Sequence, residues 1–354
     1  MKLTLLGGGG FRVPLMFRTL LADQSDRRVT ELRLWDTDAG RLAVIRSILQ
    51  AMTQGHPKAP KVEVSQNLDE AVAGTDFVFS AIRVGGTEGR ATEETIAHCC
   101  EVLGQETTGF GGLNYALRGI PTAIRIAETI ARLAPRAHLI NFTNPAGIIT
   151  EVSSRILGDR VIGICDSPVG LARRVLETLE GAELVTAGTA SLVIAGDDRV
   201  RLDYAGLNHL GWLQRLLVDG DDMLPLLLER PDLIESFEEG RLFGAQWLQQ
   251  LGSVPNEYLH YYYFARETRK ADDAVEATRG VFLAAQQRDF YARAAALPGP
   301  EAYALWEATR LRREETYMAS NRLAAGGVER DAQDLASGGY DRVALAVMKA
   351  IAFD

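Results

Sequence analysis

Cysteine is scarce in this chain of 354 residues: Cys99, Cys100 and Cys165 are all there is, too few for a disulfide scaffold. An odd count leaves at least one thiol unpaired, and the neighbours Cys99 and Cys100 are poorly placed to bridge each other because disulfide geometry is narrow. Any work a cysteine does here is therefore thiolate chemistry or metal ligation. Excess positive charge is missing too. With 38 Lys+Arg against 47 Asp+Glu and a net charge of -9, the chain lacks the basic footprint of a nucleic-acid binder, and no nucleic-acid partner is expected. No apolar run approaches the roughly 18 to 20 residues of a membrane span. The apolar segment Leu3 to Leu6 runs into glycines instead of a cleavage site, so no membrane association is expected and the expected location is cytoplasmic. Internal repeats and low-complexity linkers are also absent.

What is present is an ordinary globular composition. Hydrophobic residues make up 47% and charged residues 24%, the balance of a chain folded throughout. The length exceeds one small domain and suits a nucleotide-binding domain followed by a substrate domain.

Lys2 to Leu6 alternates and then fills with apolar residues, Gly7 to Gly10 follow, and Val13 to Leu21 carries apolar residues at helical spacing. The pattern is strand, tight turn, helix. Glu31 to Trp35 is a second strand and Leu42 to Met52 a second helix. Further strands are expected at Val62 to Val64, Asp76 to Ser80, Ala137 to Asn141 and Arg160 to Ile164, with a helix over Gly119 to Leu133. Such alternation predicts an α/β fold, a Rossmann-type, mostly parallel sheet with helices on both faces and ligands beyond the carboxyl ends of its strands. From about Glu183 the pattern changes. Glu183 to Thr189, Ser191 to Ala195 and Arg199 to Ala205 look like an antiparallel sheet, and Met223 to Glu229, Leu233 to Leu251, Asp273 to Ala295 and Ala302 to Ala325 look helical. The second half is expected to be an α+β substrate domain.

A turn of consecutive glycines between strand and helix lets the backbone approach a pyrophosphate, whose charge the helix N-terminus then favours. Gly7, Gly8, Gly9 and Gly10, with Phe11 after them, are the expected cofactor-binding turn, although Val13 and Pro14 stand where a third fingerprint glycine would fall. Asp36, at the end of the second strand, suits the ribose hydroxyls of NAD and repels a 2'-phosphate; alternatively it caps the following helix or starts a turn with Asp38.

Several later segments offer chemistry. Arg83 and Arg90 lie in RVGGTEGR, a glycine-rich stretch after a strand, where guanidinium forks suit a phosphate or carboxylate, or simply face solvent. Gly104 to Arg118 has the composition of a binding loop leading into a helix. Asn141 and Asn144 of NFTNPA either point their amides at a ligand or satisfy backbone groups in a turn. Cys165, in ICDSP, and His209, in GLNHLGW, have the donor chemistry of a divalent transition-metal site that leaves positions open for substrate oxygens; packed core residues are the plainer alternative. Tyr258, Tyr261, Tyr262 and Tyr263 cluster in PNEYLHYYY. That is an aromatic packing motif unless a nearby cation turns one tyrosine into a base.

Taken in order, the GGGG turn, RVGGTEGR, GQETTGFGG, NFTNPA, GICDSP, GLNHLGW and PNEYL resemble glycoside hydrolase family 4, the NAD- and metal-dependent glycosidases, and most nearly its 6-phospho-glucosidases. The resemblance runs from Lys2 to about Tyr317. It implies a lactate/malate dehydrogenase-like fold, with an NAD-binding domain over residues 1–165 and a substrate and metal domain over 166–354. It also implies that Cys165 and His209 hold a divalent metal, usually Mn²⁺, that Tyr258 is the base at C2 of the sugar, and that Asp166 is the acid toward the leaving oxygen. Arg90, Asn144 and Arg279 are implied as substrate-binding residues. The implied reaction is an elimination: hydride passes from C3 to NAD, Tyr258 removes the C2 proton, the glycosidic oxygen leaves, water adds at C1 and the hydride returns. This family is a known exception to the two-carboxylate mechanism of other glycosidases. The implied substrate is a phosphorylated disaccharide or aryl glucoside, with the β anomer favoured, and the implied assembly is a homodimer or homotetramer.

Two departures qualify the match. The stretch from Cys165 to His209 is longer than expected, which suggests an inserted hairpin around Leu184 to Val200, and the chain stops at Asp354, where relatives are expected to continue. Two other readings share the nucleotide domain. One is a 2-hydroxy-acid dehydrogenase of the lactate/malate type, although none of His56, His98, His138, His209 and His260 sits in the context its Asp/His relay needs. The other is a non-catalytic NAD-binding regulator.

Overall fold

A computed structural model describes residues 1–274, 277–327, 329–330 and 339–353. The chain divides into two compact units, one of Met1–Ile164, Ala277–Arg313 and Val347–Asp354, the other of Cys165–Glu276 and Glu314–Ala346. Residues 277–313 and 347–353 thus return to the first unit, where the sequence suggests one crossing after residue 165. A contiguous pattern of helices carries no mark of which core each helix covers.

Unit 1 opens with β1 (Lys2–Leu6), α1 (Val13–Ala22), β2 (Glu31–Trp35), α2 (Ala39–Met52), β3 (Lys61–Ser65), α3 (Leu68–Val72), β4 (Phe77–Ser80), α4 (Gly86–Cys99), α5 (Gly109–Leu133), β5 (His138–Asn141), α6 (Ala146–Leu157) and β6 (Val161–Gly163). Among the described residues the strands form a six-stranded sheet in the order β3-β2-β1-β4-β5-β6, every pair parallel. That is the doubly wound order of a dinucleotide-binding fold. Its central strands are covered on both faces, and so four of the five β1 residues and all four of β4 are buried. One core layer packs Leu6, Val78 and Leu139 of the sheet against Ile126, Ala127 and Ile130 of α5.

Unit 2 opens with α7 (Ser167–Gly181) and α8 (Thr189–Ala195), then β7 (Val200–Leu207), β8 (Leu210–Val218) and β9 (Asp221–Asp222). The expected strands over 183–195 are not there. The β-branched residues of Thr189–Ala195 look like a strand, but Gly188 (φ 91°) and Gly196 (φ 67°) bracket the segment in left-handed conformations and close it as a short helix. The suggested inserted hairpin around Leu184 to Val200 is therefore a turn plus α8. The hairpin itself is β7–β8, joined by the two residues Asn208 and His209.

Next come α9 (Leu224–Leu228), α10 (Pro231–Ile234), α11 (Glu238–Phe243), α12 (Ala245–Leu251), β10 (Val254–Pro255), α13 (His260–Tyr263) and α14 (Ala265–Asp273). The single helix expected over 233–251 is cut into pieces. Phe237 is extended, and Gly244 (φ 83°) ends α11 and starts α12. This break turns Glu238 and Glu239 inward to buried arginine partners, which outweighs the helical periodicity. Leu171, Leu176, Leu179, Leu213, Leu224 and Ile234 form the core of this unit.

The helix expected over 273–295 begins at Arg279 as α15 (Arg279–Ala294); its residues 275–276 lie outside the described residues. α16 (Gly299–Glu315), α17 (Ala319–Ala324) and α18 (Tyr340–Phe353) complete the chain. Among the described residues no helix is long and apolar enough to cross a membrane.

Candidate active site

In unit 1 the glycine turn is pressed against the strand ends. A Cβ on Gly7 (φ 85°) would meet the Ala81 carbonyl oxygen at 2.6 Å, and one on Gly8 would meet Leu34 Cβ at 2.6 Å. Only glycine lets the backbone lie this close, leaving a bare cradle at the start of α1 of the kind that admits a pyrophosphate. Asp36 closes its far side, where Oδ2 accepts from Gly9 N (2.9 Å) and Oδ1 from Asp38 N (3.1 Å). The cap of α2 is Asp38, whose Oδ1 accepts from Arg41 N, so Asp36 does not cap the helix, but its Oδ1 does start the turn with Asp38 that the plainer alternative describes. These residues fit a dinucleotide. The Phe11 ring is buried against Phe290 (centroids 5.1 Å) and Trp306 (6.1 Å), and its carbonyl accepts from Trp306 Nε1 (2.7 Å). Phe11 anchors the turn through packing, and its side chain is not presented to a ligand.

Beyond β4, Arg83 lies in the loop but Arg90 lies on α4, so the glycine-rich stretch is half helix. Arg90 is buried, with Nε donating to Glu94 Oε1 and Nη1 to Glu106 Oε2, both at 2.7 Å. Arg83 pairs with Glu106 and lies over the Tyr115 ring, and Arg118 pairs with Glu93. Arg83 Nη1 and Arg118 Nη2 remain buried without a hydrogen-bond partner. Burial pushes Arg83 below the ordinary arginine range. Glu94 also accepts from Gly280 N (2.5 Å), which brings Arg279, the first residue of α15, close to Arg90's helix. Arg279 Nη2 donates to the Arg313 carbonyl (2.8 Å). Asn141 takes the structural alternative: its Nδ2 donates to Thr143 O and Ala146 O and its Oδ1 accepts from Thr143 N. Asn144 follows, half-buried, before Pro145.

In unit 2, Cys165 precedes α7 and His209 sits at the tip of the β7–β8 hairpin. Although far apart in sequence, they meet with Sγ 3.3 Å from Nε2. His209 is buried and left-handed (φ 62°), an uncommon conformation for a side-chain-bearing residue and one associated with functional sites. Strand pairing supplies the third member. Val254 and Pro255 pair with Leu213 and Trp212, Asn256 N donates to Gly211 O (2.9 Å), and Tyr258 is thereby laid flat on His209 with ring centroids 3.9 Å apart and planes 7° apart. Asn256 Oδ1 fixes Tyr258 through its backbone N–H (3.1 Å). The other tyrosines of the motif divide: Tyr263 accepts from Trp212 Nε1 and packs on Trp247, whereas Tyr262 is exposed. Asp166 directly precedes α7, with Oδ1 4.0 Å from the Cys165 sulfur.

Burial pushes the Cys165 thiol up to about 12, the Asp166 charge adds to this, and the Ser167 groups oppose it. Burial likewise pushes His209 down to about 4. The bare pair is thus a neutral thiol beside a neutral imidazole, and a bound cation reverses the preference of the sulfur. Two further observations fit a cation with attached ligand oxygens. Tyr204 Oη, Asn256 Nδ2 and Glu257 Oε2 are buried without a hydrogen bond of ordinary geometry, and the Glu257 charge acts on Cys165. Glu257 is pushed up to about 7 by burial and by the Glu239 and Glu238 charges, with Arg174 opposing. Among the described residues no group of three metal-ligating side chains comes together, so protein donors at this pair number two.

The sequence reading gave no role to Glu257, Asn256, Tyr204 or Tyr317, whose hydroxyl donates to Tyr258 Oη at 3.1 Å. Asn256 and Glu257 lie inside the PNEYL motif, which is the signal that could have found them. Tyr204 and Tyr317 carry no local signal.

The profile of the family 4 glycosyl hydrolases matches residues 2–181, and that of the family's C-terminal domain matches residues 204–354. A probable 6-phospho-beta-glucosidase of Bacillus subtilis is 30% identical over 288 residues, 79% of this chain and 62% of its own length. A 6-phospho-alpha-glucosidase of Leptotrichia buccalis is 31% identical over 280 residues, 74% of this chain and 60% of its own length. This chain therefore spans about three fifths of the length of these curated relatives. The solved 6-phospho-beta glucosidase of Thermotoga maritima, with manganese, NAD+ and glucose-6-phosphate, superposes with a TM-score of 0.71 at 26% identity, covering 89% of this chain and 73% of that one.

Proposed function

The chain belongs to the family 4 glycosyl hydrolases, and from that premise we propose that it cleaves 6-phospho-glucosides, β anomers in preference, by redox-assisted elimination. The observation that carries the reading is the convergence of Cys165, His209 and Tyr258, three residues from separate segments with no packing need for a thiol beside an imidazole. NAD would be held by the Gly7–Gly10 turn and Asp36, and a divalent cation, manganese by preference, by Cys165 and His209. When bound, NAD supplies a reversible hydride acceptor for C3 of the sugar, and the cation supplies positive charge beside its 2- and 3-oxygens.

The chain's own residues do the rest. Tyr258 accepts the C2 proton and returns it after water has added at C1. Asp166 protonates the departing glycosidic oxygen. Arg90, Arg279 and Asn144 orient the sugar and its phosphate, and the spare donors of Arg83 and Arg118 favour an anionic substrate.

The test is release of p-nitrophenol from p-nitrophenyl 6-phospho-β-glucoside and its α anomer, with and without NAD, Mn²⁺ and a reductant. Release that needs both NAD and metal, without net NADH, supports the reading, and the faster anomer decides the preference. Stoichiometric NADH on a 2-hydroxy acid would replace it with the dehydrogenase.

A cytoplasmic location and self-association belong to the same proposal. Phe110, Leu113 and Leu117 form an exposed apolar stripe on one face of α5, of the kind that a second copy covers. Sedimentation is expected to show a dimer or tetramer that Leu117→Lys weakens; a monomer at all concentrations overturns this part.

A further inference from the structure

From Ala302 to Ala325 the sequence contains no glycine or proline and predicts one unbroken helix. The structure breaks it. α16 stops at Glu315, Met318 turns left-handed (φ 49°), and α17 restarts at Ala319. A methionine held in that conformation opposes local preference and calls for a compensating role.

The residue that the break turns inward is Tyr317. Its backbone is fixed on both sides, the N–H donating to Glu314 O (3.0 Å) and the carbonyl accepting from Arg322 Nε (3.0 Å). The Arg330 guanidinium lies 5.2 Å over its ring, and Arg330 is anchored by Glu238 at 3.1 Å. So secured, the Tyr317 hydroxyl donates to Tyr258 Oη at 3.1 Å.

We propose that Tyr317 is a positioning residue that aims the oxygen of Tyr258 at the substrate. The stack on His209 sets the plane of the Tyr258 ring, but a flat stack permits sliding and rotation within that plane. A hydrogen bond arriving at the oxygen from a fixed donor removes that freedom and fixes where the oxygen lies, as proton transfer requires. The strained break between α16 and α17 is the means by which a donor with no sequence signature reaches this point. This inference rests on the reading of Tyr258 as the base.

The test is Tyr317→Phe, which keeps the ring and removes the donor. Expected is a fall in kcat of about 10- to 100-fold with KM within about twofold, and an equal fall in the exchange of the C2 proton with deuterated solvent. The double variant Y258F/Y317F is expected to be no slower than Y258F, because Tyr317 acts through Tyr258. Wild-type kcat in Y317F, or a loss that adds fully to that of Y258F, overturns the proposal. If Y258F itself turns over normally, the reading of Tyr258 as base fails instead, a result distinct from the first. Should Y317F not fold, 3-fluorotyrosine at position 317 preserves the shape with a stronger donor. A change in kcat of about twofold or more then supports the inference, and no change overturns it.

Discussion

Around Arg90 in unit 1, three arginines, Arg83, Arg90 and Arg118, are paired with three glutamates, Glu93, Glu94 and Glu106, and what is left over is donors: Arg83 Nη1 and Arg118 Nη2. Around Glu257 in unit 2, Arg174 and Arg330 face Glu238, Glu239 and Glu257, and the surplus is a carboxyl whose Oε2 has no partner, behind a thiol that burial keeps protonated. Both clusters are buried and arginine-rich, yet the first leaves over guanidinium hydrogens, whereas the second leaves over the Glu257 lone pairs beside the Tyr204 hydroxyl and the Asn256 amide. The first suits an anion and the second a cation. Counting charges would not separate them so clearly; counting unsatisfied atoms does.

The largest expected effect comes from removing the soft donor on the cation side. Cys165→Ser is expected to lower turnover by about 10³-fold or more, with NAD affinity measured by titration unchanged. If turnover survives, the metal assignment falls and the contrast between the clusters loses its meaning. Arg90→Met attacks the other cluster, stranding Glu94 and weakening the hold on Glu106. A loss of roughly 3–5 kcal/mol in denaturant unfolding is expected, as for breaking one side of a buried pair. A loss below about 1 kcal/mol would mean that the cluster is looser than its 2.7 Å contacts indicate.

The smallest effect is the most diagnostic of the surplus carboxyl. Glu257 is raised to about 7 from an ordinary 4.5, so folding favours its protonated form. The stability it contributes is complete below about 4.5 and is lost as pH rises through about 7. Glu257→Gln is therefore expected to match the wild type at pH 4.5 and to melt a few degrees higher at pH 8, corresponding to roughly 2–3 kcal/mol. Equal pH slopes for the two proteins would show that Glu257 is not the carboxyl in excess.

Legibility followed locality. The β1–turn–α1 unit, Asp36 and the strands of the parallel sheet were readable because each depends on a few adjacent residues: alternation, glycine freedom, a carboxylate at a strand end. Where the Phe11 ring goes was not readable, because its destination depends on Phe290 and Trp306, far along the chain. The segment 189–195 was misread because β-branched residues outweighed the two flanking glycines, and the helix over 233–251 because its periodicity hides two glutamates that turn inward. Cys165, His209 and Tyr258 could be nominated from their motifs, but each alone had a plainer reading as a core residue.

By itself the sequence determined the doubly wound sheet, the glycine cradle and the types of donor available, because backbone preference and donor chemistry are local properties. Tertiary structure alone decided that a thiol, an imidazole and a phenol share one spot, that Arg90 is matched by Glu106, and that Tyr317 reaches Tyr258. Those are facts of hairpin register, burial and a break in a helix, and their energies arise between residues 16 or more positions apart, where no local pattern records them.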